Sequence, residues 1–179
     1  FRVDLNDTSN VIVTDLTGSD TTWTPLPNTG IGSEAVTLER GSDGGIYVAT
    51  DVGVFYINNK LMANGEGWQL LGTNLPHAQC RGLLINYKAN RLRAGMYGRG
   101  LWEHGLWCPD STDLIEVGTY PDDAFQEATN SIISTAVTEV GRTITYRGGN
   151  EVRMMAGFHA SAGSTFHAFI HPCDAGGNS

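Results

Sequence analysis

The chain has 179 residues and a formal net charge of −8, with 17% charged and 40% apolar residues. That is too apolar and too sparsely charged for a disordered chain, and the length suits one ordinary domain or two small ones. The acidic balance argues against nucleic acid, which needs a basic patch, and against anionic lipid. No apolar run is long enough to span a bilayer.

Gly-, Thr- and Val/Ile-rich runs separated by turn residues predict an all-β protein. The best helical stretch, 123–134, is read as turns and strands because of its β-branched content. Two strand-like runs open the chain, Phe1–Leu5 and Asn10–Leu16, with Asn6-Asp7 as their turn. The opening alternates like a strand and carries no signal-peptide pattern, so it reads as a fragment or a processed product.

From Trp23 the chain repeats. Trp23 and Trp68, Leu26 and Leu71, and Ala49 and Ala94 are each 45 residues apart. A period near 45 residues is typical of four-stranded propeller blades. The repeat core is expected at Trp23, Trp68, Ala49, Ala94 and Trp102. The strands expected in the first repeat are 34–39, IYVAT and VFYI. Gly45 and Gly53 are placed in tight turns. In the second they are RGLLINY, RLRAGMY and GLWEHGL. Trp102 and Trp107 are also expected to pack the two modules together. The texture changes after Trp107. Short runs (RTITY, EVRMM, GFHA, STFHAFI) with alternate apolar residues and glycine corners predict a small stacked-strand or solenoid-like module.

Three cysteines allow one intramolecular pair. Cys108 and Cys173 bracket the last third and are the natural partners, a link contributing about 4 kcal/mol on a chain-entropy argument. Cys80, in an apolar strand, is expected to be a buried thiol.

The candidates for chemistry are few. The carboxylates Glu34, Glu39, Asp51 and Glu103 match no catalytic pair. Arg81, Arg91, Arg93 and Arg99 do not form a convergent triad. His159, His167 and His171 are expected opposite the apolar faces of their strands, as an exposed ladder rather than a metal site. No metal or cofactor is expected, and an enzyme is not. Asn6-Asp-Thr8 fits an N-glycosylation sequon.

YVATDVGVFY and RLRAGMYGRGLWE, each preceded by Trp…Leu-Pro, resemble the last blades of a sortilin/xyloglucanase/sialidase-like β-propeller, as found in secreted and surface proteins of Bacteroidetes. The likeness covers about residues 1–107, with Gly18–Trp23 as a degenerate Asp box. From Cys108-Pro109 through Ala128–Ser134, Gly157-Phe158, Ala162–Ser164 and Phe166-x-Ala168 to Cys173, the chain resembles the small "coathanger stack" β-domain of the same proteins. Asp110-Ser-Thr and Asp20-Thr-Thr resemble their O-glycosylation pattern, which marks Ser111 and Thr21. The resemblance implies an extracellular or cell-surface location and an accessory role.

The expectation is therefore an all-β chain: 1–107 as about two propeller blades, 108–179 as a small β-stack. Two blades do not close a ring, so the remaining blades come from the same protein or another chain. The expected function is structural or adhesive within a large secreted or surface bacterial protein, as a homo-oligomer or filament component, with carbohydrate as a further candidate ligand. The alternative is the non-catalytic C-terminal part of a secreted propeller glycoside hydrolase.

Overall fold

The computed structural model describes residues 2–4, 12–14, 26, 35–72, 75–109 and 111–172. Among the described residues the fold is all-β apart from one short helix. It divides into two compact units, Phe1–His104 and Gly105–Ser179.

In the first unit β1 (Arg2–Asp4) pairs antiparallel with β2 (Ile12–Thr14). The Asn6-Asp7 turn lies outside the described residues. Next comes an antiparallel sheet in sequence order, β3 (Ala35–Leu38), β4 (Ile46–Thr50), β5 (Gly53–Ile57) and β6 (Gln69–Leu70). Its two central strands are buried throughout. IYVAT and GVFYI are therefore continuous apolar runs, because both faces need cover. The edge strand β3 alternates instead, with Ala35 and Thr37 turned in and Val36 and Leu38 exposed. Tyr47 and Tyr56 face each other across β4 and β5 with ring centroids 4.7 Å apart. The Tyr47 hydroxyl donates to buried Glu39 at 2.8 Å. Gly53, at φ +139, takes the β4–β5 hairpin as expected. Gly45 serves differently: a Cβ there would come within 2.5 Å of the Tyr56 and Ser42 oxygens.

The helix α1 (Asn59–Ala63) follows β5. Asn58 caps it, accepting the Leu61 N–H at 2.8 Å. The third sheet is β7 (Cys80–Asn86), β8 (Arg91–Met96) and β9 (Gly100–Gly105), with a bulge between Cys80 and Gly82. Leu92, Ala94 and Met96 alternate into the core. β7 also packs against β3 and β4.

The second unit is built on another plan. Its strands are β10 (Asp113–Glu116), β11 (Thr119–Tyr120), β12 (Ala124–Ala128), β13 (Ser131–Ser134), β14 (Val137–Thr138), β15 (Thr143–Gly148), β16 (Glu151–Met154), β17 (His159–Ala160) and β18 (Thr165–Ile170). They form three parallel three-stranded sheets, β10-β13-β16, β11-β14-β17 and β12-β15-β18. The chain thus makes three successive coils, each giving one strand to every sheet. Asp113 aligns with Ser131 and Ser131 with Glu151, while Ile144 aligns with Phe166; the spacings are 18, 20 and 22 residues. The growth sits at corners. Coil two has two extra residues between β14 and β15, and coil three two more between β16 and β17.

Stacked columns make the core of this unit. Ile132, Ile144, Tyr146 and Ala128 are buried, with Leu114, Ala124, Val152 and Phe166 packed on them. Tyr120, Tyr146, Phe166 and Phe158 form a chain of edge-on and tilted ring contacts across the coils. One corner carries a polar ladder. The Asn150 amide donates to the Asn130 carbonyl at 2.8 Å, and the Asn130 amide to Asp113 at 2.7 Å. Beside it the coils approach so closely that a Cβ on Gly149 would collide with the Thr129 carbonyl. The stretch 123–134 is β12 and β13, strand rather than helix, as its β-branched content predicts.

Candidate interaction surfaces

Two surfaces carry chemistry that the packing leaves unused. The first is one face of β7-β8-β9. Leu84 stands opposite Arg93, and Arg93 Nε donates to Glu103 Oε1 at 2.6 Å, so the three lie in a row across the sheet. Two residues along, Gly82 faces Gly95, and a Cβ on Gly82 would meet nothing within 4 Å. Leu101 shares the Glu103 face by strand alternation. Tyr97 lies under the Arg81 guanidinium, 5.0 Å from the ring centroid, and the Gln79 side-chain carbonyl holds Arg81 at 3.1 Å. Leu84, Tyr97 and Leu101 are 62%, 68% and 70% exposed. Large apolar side chains beside bare glycine backbone make an apolar surface with a depression in it.

The second surface is the edge of the last coil, where β16, β17 and β18 have a ladder partner on one side only among the described residues. Its apolar columns end in the open: Met154 and Ile170 are exposed, and Phe158 and Phe166 half-buried.

A buried ion pair joins the first two coils. Arg147 Nη1 donates to Glu127 Oε1 at 3.1 Å, with the side chains 3% and 1% exposed. Both lie on the strand face opposite Ile144 and Tyr146. His171 follows β18, its N–H bonded to the Gly148 carbonyl at 2.9 Å. Burial, and then the positive charge of Arg147, lower its imidazole to about 4. The Asp113 carboxyl is held low by the Ser131 hydroxyl and the Asn130 amide. Burial and a hydrogen bond to Glu116 push the Tyr120 phenol up.

The residues singled out from sequence are dispersed. Ala49 and Ala94 are fully buried and Trp68 nearly so. Trp102, expected in the repeat core, is instead 37% exposed, its indole N–H donating to the Arg99 carbonyl at 2.9 Å. It sits on β9, an edge strand, where cover is incomplete. Trp107 is buried. Trp23 and Thr21 lie outside the described residues. Ser111 is half-buried, and its carbonyl accepts the Thr129 N–H at 2.8 Å.

Cys80 is a free buried thiol; Cys108 is buried and disulfide-bonded, and Cys173, its expected partner, lies outside the described residues. Burial raises the Cys80 thiol above its ordinary range, against a smaller opposing hydrogen bond with the Gly82 carbonyl. The histidines do not form one ladder, because His159 is on β17 and His167 on β18, in different sheets. Both are exposed, while His171 is half-buried. Among the described residues no three His, Cys, Asp or Glu side chains converge as a metal site. Of the carboxylates, Glu39 bonds Tyr47 and Glu103 bonds Arg93. Glu34 is outside the described residues.

Sequence reasoning missed the Glu127–Arg147 pair and the Tyr97–Arg81 contact. The signal for the first is the 20-residue coil spacing, which places the two side by side once the register is known.

No protein-family model matches this chain, and no curated protein or solved structure is significantly similar to it.

Proposed function

We propose that the chain is a structural, adhesive portion of a larger secreted or cell-surface bacterial protein. In this reading 1–107 supplies two blades and a piece of a β-propeller, and 108–179 a short solenoid. The observation that carries it is the exposed face of β7-β8-β9. Leu84, Tyr97 and Leu101 surround a bare Gly82–Gly95 backbone patch in a sheet whose first strand already packs against β3 and β4. A face of this kind fits a further antiparallel sheet, from the same protein or another chain, with a side chain of that sheet seated over the two glycines. The meander order β3-β4-β5-β6 and the 45-residue recurrence support blade-like units. Native mass spectrometry of material from its natural source tests this reading. The expected result is a mass well above 19.2 kDa, from a longer polypeptide or a tightly held partner of β-rich sequence. A lone 19.2 kDa species would contradict it.

A further inference from the structure

We propose that β18 at the open end of the coil stack pairs with β18 of a second copy of this chain, antiparallel and about a two-fold axis centred on Ala168. Thr165 and His171 donate their N–H groups to Arg142 and Gly148 of the coil beneath. Strand alternation therefore turns the N–H and C=O groups of Phe166, Ala168 and Ile170 toward the open side. In the proposed pairing Ala168 meets Ala168, and Phe166 meets Ile170 of the partner, each exchanging both backbone hydrogen bonds. The small residue falls on the two-fold axis, where each side chain meets its own copy. The large ones cover apolar columns that otherwise end in solvent, Ile170 being 48% exposed. On the other strand face His167 meets Phe169 of the partner rather than a second imidazole. The interface continues the ladder that already joins β12, β15 and β18.

Charge decides which end of the stack associates. Between residues 113 and 128 the first coil carries Asp113, Glu116, Asp122 and Asp123 besides the paired Glu127, and no lysine or arginine. Pairing that edge with itself sets carboxylates against carboxylates, which is how natural edge strands are kept apart. β18 reads TFHAFI, without a carboxylate, amine or guanidinium. Isologous two-fold contacts are the commonest route to dimers, and β18 carries no charge to oppose one.

Sedimentation equilibrium of the full chain tests the proposal, with Ala168→Glu and Ala168→Pro beside it and Ile115→Glu on β10 as the control. Ala168 is exposed and its N–H points to the open side, so both changes leave the existing ladder intact, which far-UV circular dichroism checks. The expected result is a monomer–dimer equilibrium, with the dimer at twice 19.2 kDa. Its dissociation constant should rise at least tenfold in both Ala168 variants and stay unchanged in the control. A chain that is monomeric up to its solubility limit, or a dimer indifferent to both Ala168 variants, would overturn the proposal. So would a dimer that forms only after residues 173–179 are removed, since the edge would then belong to the chain's own tail.

Discussion

The two units solve the burial of strands in opposite ways. In the first, β4 and β5 are covered on both faces and their partners are hairpin neighbours a few residues away. In the second, the apolar core lies on one strand face, with the Glu127–Arg147 pair buried on the other, and each partner lies 18 to 22 residues further on, in parallel. The first concentrates its core in a few wholly apolar runs. The second spreads it along columns, so a buried side chain of the middle coil, such as Ile144, lies between a coil above and a coil below. Damage at a coil position should therefore remove support from two neighbours at once, as in other stacked-repeat architectures.

That comparison can be broken at its strongest point. Tyr146 is fully buried, contacts two aromatic rings and shares a 3.0 Å hydrogen bond with Ser134. Tyr146→Ala should destabilise the coil unit by about 4 kcal/mol in denaturant unfolding. An effect below 1 kcal/mol would mean the columns are not cooperative.

Next in size is the buried ion pair. Arg147→Leu leaves Glu127 buried without this cation and should cost about 3 kcal/mol. The double change Arg147→Leu with Glu127→Leu should recover most of the loss, because two well-packed apolar residues can replace a buried pair. If the double variant is no better than the single, the pair's geometry rather than its charge holds the coils in register. Gly149→Ala, which drives a Cβ into the Thr129 carbonyl, should cost about 2 kcal/mol, read as a lowered urea midpoint. The sheet unit offers a milder contrast. Tyr47→Phe removes the hydroxyl from buried Glu39 and should cost about 1 kcal/mol.

A further effect is one of pH. His171 titrates near 4 in the folded chain, against about 6.5 for an unperturbed imidazole. Between those values the unfolded chain binds more protons than the folded one, so stability is full above about pH 6.5 and declines as pH falls toward 4. Thermal melts across that window should show a shallow slope that His171→Gln flattens. An unchanged slope would assign the dependence to carboxylates.

Much of this architecture is legible in the residues, and unevenly so. The runs IYVAT and VFYI announce strands because burial on a sheet favours β-branched and aromatic residues in short stretches, and RLRAGM does so by the alternation of Leu92, Ala94 and Met96. The 45-residue recurrence is visible in alanines 49 and 94, which are both fully buried on the second strand of their sheets. The coil spacing is hidden. Each coil is two residues longer than the last, and a single column changes character from Asp113 to Ser131 to Glu151. No fixed period survives, although alternation within RTITY and STFHAFI does. The exposed face of β7-β8-β9 was illegible for a different reason. Leu84 and Leu101 read as core on composition alone, and only the sheet order shows that nothing described lies over them.

The most direct test of the account is hydroxyl-radical footprinting of Leu84, Tyr97 and Leu101, comparing the isolated chain with the protein in its native assembly. If this face docks a further sheet, all three side chains should react readily in the isolated chain and be protected several-fold in the assembly, while Val140, exposed in the second unit, reacts equally in both. Equal reactivity of the three in both samples would leave the face bare and contradict the account.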